Sequence, residues 1–354
     1  MAIEIYSTDT DSGQISVIRK DGDAYHNVTT IPVGNAPRGS VKFTRDGRGF
    51  VSNTSTNSVS EIDALTHREV ARITVGSGPR GLGILPGDRY MLVSNSGSNT
   101  VSIVDLESRE ELIQIAVGRD PRHMAIVGDF AYVCIWGSGY VAKIDVSGLA
   151  RGDVSGVREI GRIRIQENSH PYSLNVDRSG RYAVVACNSI DYVPVIDLAT
   201  DQVVHRVPVT SQGGRAVAFS PDNRFALVTL ERESTIAVID MSTFAVTRYV
   251  PTGPSPRGIA VDERDFTVYA SAFARGTVMH AGQPGSLPHA VTVVKMDNVD
   301  LSTDEATGGK PVFDDIPVGF GPCSVSLFDT DRVSLDHVDI DAAHIAESSV
   351  GSAG

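Results

Sequence analysis

The sequence predicts an all-β fold, a closed seven-bladed β-propeller with four antiparallel strands per blade. Three observations lead there: a phrase that recurs seven times, a steady rhythm of short strands and turns, and chain ends that complete one another. Taken first because a missed repeat misassigns the whole fold, the phrase is a strand ending in Val-Gly, two variable residues, then Pro-Arg-Gly. It reads VGNAPRG at 33–39, VGSGPRG at 75–81, VGRDPRH at 117–123 and PTGPSPRG at 251–258, with degenerate copies NSHPYS (168–173), SQGGRA (211–216) and VGFGPCS (318–324). The proline-equivalent positions 37, 79, 121, 171, 214, 256 and 322 are spaced by 42, 42, 50, 43, 42 and 66 residues.

Each unit holds four short strands. In the second they are GLGIL (81–85), RYMLVSN (89–95), TVSIVDL (100–106) and ELIQIAV (111–117), separated by turns such as Pro86-Gly87-Asp88. Strands near ten residues apart in a unit of about 42 suit a propeller blade and carry no helical period. The ends predict closure. The chain opens with three strands, IEIYST, QISVIR and VTTIPV, and supplies the missing first strand only at CSVSLF (323–328). N- and C-terminal strands then share one blade, and no sheet edge is left at a seam.

The stretches VSEIDALTHREVARITVGSGPRGLGI (59–84), VSIVDLESREELIQIAVGRDPRHMAI (101–126) and IAVIDMSTFAVTRYVPTGPSPRGIAV (236–261) resemble the YVTN-type β-propeller repeats, over nearly all of residues 2–328. The resemblance implies a seven-bladed propeller. For function it implies little, since such propellers include lactonases, lyases, redox subunits and interaction modules.

Composition narrows the function classes. The chain is 41% apolar and 21% charged, as expected of a globular protein with a large core. A formal net charge of −12 excludes nucleic acid as a natural partner. No apolar stretch is long enough to span a bilayer, and the start MAIEIYSTDTD reads neither as a basic nor as an apolar leader. Three isolated cysteines, Cys134, Cys187 and Cys323, show no paired spacing, so a cytoplasmic location is expected. Residues 1–330 form the expected propeller domain and 331–354 an acidic tail. Insertions depart from the period at 147–162, 275–289 and 298–314; strand direction puts 275–289 on the same face as the Pro-Arg-Gly loops, where it reads as a lid.

That face, at the mouth of the central channel, is the predicted working surface. The position after the proline reads Arg38, Arg80, Arg122, Tyr172, Arg215, Arg257 and Cys323 around the ring. Guanidinium forks suit carboxylate and phosphate, so these arginines and Tyr172 are expected to bind a small anionic molecule. Salt bridges to acids of neighbouring blades are the competing reading. Breaks in the repeat add His123 and Trp136 in blade three, His170 in blade four and Glu231 in blade five, while blades one and two place Asn53 and Asn95 at the matching loop. His123, His170 and Glu231 are the candidate proton-transfer residues, with Trp136, Asn53 and Asn95 beside the substrate.

Two readings stay open: a hydrolase (lactonase-like) or lyase/isomerase, or binding protein, for a small anionic metabolite, and a non-catalytic scaffold for a protein partner. No metal site and no cofactor are expected. A metal held by His123, His170, His280 and His289 is a third reading that no short ligand spacing supports.

Overall fold

The computed structural model describes residues 3–273, 289–297, 299–303 and 309–330. Seven four-stranded antiparallel sheets surround one channel, as the repeat predicts. Blade one runs over residues 37–74, and blades two to six follow in chain order; blade seven combines Pro322–Asp329 with the three N-terminal strands. The closing ladder pairs Ile3 with Asp329 through to Asp9 with Pro322. Among the described residues no helix is long and apolar enough to cross a membrane.

Why the chain repeats its phrase is visible in the register. In blade two Pro79 pairs with Asn95 but Leu82 with Val93, so the first strand carries one extra residue at Arg80-Gly81. Similar irregularities follow Pro121, Pro171, Gly214 and Pro256 in blades three to six. Such a bulge breaks the ladder and re-aims a side chain, here turning the arginine towards the mouth. The glycine beside it serves close approach: a Cβ on Gly81 would lie 2.4 Å from the Arg122 carbonyl oxygen and 2.7 Å from the His123 Cα. First strands of successive blades therefore touch backbone to backbone at the axis.

Stability comes from apolar clusters between blades rather than within any one of them. The 147–162 insertion joins one: Leu149 and Val157 are buried against Tyr90, Leu92 and Val133. Part of the blade-six insertion does likewise, Leu301 packing beside Met296 while its carbonyl accepts from Thr247 Oγ1 at 2.6 Å. The expected lid lies, but for His289, outside the described residues, as does the acidic tail.

At the closure the fully buried Phe43 of blade one meets Tyr6 and Phe328 of blade seven, ring centroids 5.0 and 4.9 Å apart. Phe43→Ala is expected to cost about 3–5 kcal/mol by opening a cavity between these blades. Urea unfolding measures it, and a loss below about 1 kcal/mol would mean that the seam is held by its backbone ladder alone.

Candidate functional site

The mouth gathers the five arginines, yet their surroundings differ by sector. On one side, Glu231 of blade five sits between Arg215 and Arg257. Arg215 pairs with one carboxylate oxygen, and Arg257 Nε donates to the other at 2.7 Å. Burial opposes ionisation of Glu231, but the two guanidiniums outweigh it and hold the carboxyl below its usual range. Arg257 also lies 3.6 Å above the Phe273 ring and Arg215 4.6 Å above that of Tyr172. This half of the ring is a rigid strut.

The other side is short of negative charge. Arg122 reaches Asp120 at 2.7 Å and lies over both Trp136 and Tyr172, 5.0 and 5.4 Å from their centroids. Among the described residues Arg80 Nε donates to the Ser96 hydroxyl at 3.2 Å. Burial and repulsion from Arg122 and Arg38 pull its guanidinium down to about 10, still cationic at neutral pH. Arg38 has a buried Nε without a hydrogen-bond partner. Among the described residues neither Arg38 nor Arg80 has a carboxylate within ion-pair distance.

The imidazoles take separate places. His170 stacks on Trp136, centroids 4.0 Å apart and planes at 17°. Its Nδ1 lies 2.7 Å from Ser189 Oγ, leaving Nε2 without a hydrogen-bond partner among the described residues. Burial and the nearby Arg119 and Arg122 lower its pKa. Trp136 Nε1 donates to Asn188 Oδ1 at 3.1 Å, and Asn188 Oδ1 also accepts from Arg215, tying the aromatic stack to the strut. His123 is inside the channel, its Cε1 3.2 Å from where a Gly39 Cβ would stand and its ring 5.3 Å from Tyr172. Burial, then Arg122 and Lys42, push it down to about 3, so it stays neutral.

The structure thus brings together Arg38, Arg80, Arg122, Tyr172, Arg215, Arg257, Trp136, His170 and Glu231. Asn53 and Asn95 lie elsewhere: both are fully buried, and their Nδ2 groups donate to Ser60 and Ser102 inside the blades. No hydrogen bond joins Glu231 to either imidazole. Of the expected histidine set, His280 lies outside the described residues. His289 is at blade six, its Nδ1 accepting from the Gly321 amide at 3.4 Å. Among the described residues no three potential ligands cluster as a metal site. Sequence reasoning had not assigned Asp120, Ser189 or Phe273 to the mouth.

No curated protein matches the sequence. Among solved structures, hydrazine synthase of Kuenenia stuttgartiensis superposes with a TM-score of 0.67 at 21% identity, covering 85% of this chain and 92% of that one. A functionally unknown protein from Desulfotomaculum acetoxidans gives 0.69 at 13%, covering 92% and 98%. Dihydro-heme d1 dehydrogenase NirN in complex with DHE gives 0.60 at 14%, covering 89% and 74%. At these identities the likeness establishes the propeller fold.

The family model of the cytochrome D1 heme domain matches residues 5–215, more than half of the chain. It is a seven-bladed propeller family other than the YVTN repeats that the sequence resembles. The match also overturns the expectation that no cofactor is involved, because the family is a heme-binding one. A heme carries its own four ring nitrogens, so its protein needs no clustered ligands and the search for short metal spacings is blind to it. The chain belongs to the cytochrome D1 heme domain family.

Proposed function

We propose that the chain binds a carboxylate-bearing tetrapyrrole of the heme d1 type at the mouth of its channel. One observation carries the reading: Arg38 and Arg80 stand beside Arg122 with no carboxylate of their own among the described residues. Partly buried like charges repel at short range in a medium less polar than water, so this sector favours an anionic ligand. Tetrapyrrole side-chain carboxylates suit guanidinium forks.

The residues present fit such a group in two further respects. His170 offers a neutral Nε2, with Nδ1 engaged by Ser189 as ligand imidazoles commonly are by an outer partner. Trp136 and Tyr172 supply flat apolar surface beside the cations. The shaft below, about 260 Å³, is smaller than usual ligand pockets, which favours the mouth over the shaft for a macrocycle. When bound, an iron tetrapyrrole supplies a one-electron couple and a coordination position open to substrate. This chain's residues would hold the carboxylates (Arg38, Arg80, Arg122), offer an imidazole nitrogen (His170) and brace the opposite wall (Arg215, Glu231, Arg257).

Hydrolase or lyase chemistry by a His–Glu pair finds less support. Glu231 is committed to two arginines, and burial beside Arg122 and Lys42 holds His123 neutral.

Titration with an iron porphyrin bearing two free propionates, followed by absorbance, tests the reading against its dimethyl ester. The free acid is expected to bind tightly, and each lost charge-assisted contact, in the ester or in Arg38→Gln/Arg80→Gln, to weaken it by about 10- to 100-fold. His170→Ala should remove the ligand-field shift in the spectrum while the carboxylate contacts keep most of the affinity. Equal affinity for acid and ester would overturn the proposal.

Glu231 makes a separate prediction about stability. Its folded pKa is depressed, so its contribution is complete above the unfolded carboxyl value of about 4.3 and is lost as pH falls through the folded value. Glu231→Gln is expected to cost about 3 kcal/mol at pH 7. The gap in melting temperature to wild type should narrow progressively as pH falls below about 4.3. A gap that persists unchanged at pH 3 would show that the carboxylate's charge is not what holds Arg215 and Arg257.

A further inference from the structure

Beneath the mouth the channel opens into a second compartment of about 260 Å³. His123, Tyr172 and Arg257 line its upper end, and Arg178 and Glu263 its far end. Arg38, Arg80 and Arg122 do not line it, so the unpaired charge of the mouth belongs to a different space.

Blade one shows how the two are separated. Along Pro37–Phe43 burial alternates, with Arg38, Ser40 and Lys42 the half-buried residues. All three therefore face the axis, and Lys42 lies roughly 13 Å further down the strand than Arg38. Lys42 lines the compartment, and among the described residues it has no carboxylate within ion-pair distance. The acid that lines the same compartment, Glu263 of blade six, is already bound to Arg178 at 2.5 Å. Arg257, which also lines it, shares Glu231 with Arg215.

Polar donors share the compartment with the cation. Ser40 Oγ and Ser324 Oγ, 2.9 Å apart, both line the cavity, and His123 closes it above. A cation set in a narrow, partly apolar shaft loses much of its hydration, and a mobile counter-ion offsets that loss better than water does. The available volume excludes large ligands.

We propose that the shaft is a second binding site, for a small oxyanion held by Lys42 with the Ser40 and Ser324 hydroxyls, separate from the ligand site of the mouth. The ligand class is a small inorganic oxyanion or a short carboxylate.

Crystals of the full chain grown with selenate test it by anomalous scattering. A selenium peak is expected in the shaft beside Lys42. In calorimetric titration with inorganic phosphate, Lys42→Gln should weaken binding by about tenfold or more, and Lys42→Arg should restore it. Crystals of Arg38→Gln/Arg80→Gln, the variant that weakens the porphyrin, should still show the selenium peak in the shaft, which separates the two proposals. A peak confined to the mouth, or phosphate affinity unchanged in Lys42→Gln, overturns the shaft site and leaves the mouth reading intact. Should Lys42→Gln fail to fold, the selenium map of the wild-type protein decides: no peak in the shaft overturns the inference.

Discussion

Everything at the channel depends on the ladder between Ile3–Asp9 and Pro322–Asp329. It joins strands more than 300 residues apart and makes the seventh blade whole. Only a closed ring forces seven first strands into contact around one axis. At Gly81 that contact leaves no room for a side chain, and a bulge swings the preceding arginine clear. The recurring Pro-Arg-Gly is thus first a solution to packing at the axis, and its collection of positive charge follows from it.

Concentrating guanidiniums is costly unless something answers them, and this chain answers unequally. Glu231 serves two arginines and Asp120 serves one. Cation–π contacts with Tyr172, Trp136 and Phe273 ease Arg122, Arg215 and Arg257 further. Among the described residues Arg38 and Arg80 receive neither. The field is also felt by groups that could otherwise titrate: His123 stays neutral, and Cys323, although buried, is drawn below the usual thiol range because Arg38 and Arg257 oppose the effect of burial. Cys134 and Cys187, buried away from such charges, are pushed up instead.

Blade count, closure and the ring of arginines were legible in the sequence because turn chemistry repeats at a constant interval and strand direction assigns each loop to a face. Which arginines remain unanswered was not, since that depends on acids delivered by a neighbouring strand pair or loop. Asn53 and Asn95 show a second limit. Both end a strand beside the mouth, but their side chains turn inward to Ser58 and Ser60, or Thr100 and Ser102. A signal was present: Glu69 and Glu111 complete the two networks at the same offsets, and a polar set copied whole between blades marks a structural element. The heme relationship left no ligand spacing to find, because a heme brings its own four ring nitrogens and needs no clustered protein ligands.

The two exceptions in the ring give the mouth its polarity. Tyr172 and Cys323 replace arginine in blades four and seven, so the remaining five fall into a run of three, Arg38, Arg80 and Arg122, and a pair, Arg215 and Arg257. A uniform ring would attract anions without orienting them. Here the pair is fixed to Glu231, the excess positive charge sits with blades one to three, and the Trp136–His170 stack stands at the boundary between blades three and four. A ligand with acid groups along one edge and a flat apolar body meets complementary surface in one orientation only. A compact anion gains nothing from that asymmetry, and the cation suited to it is Lys42, deeper in the shaft where the volume is small.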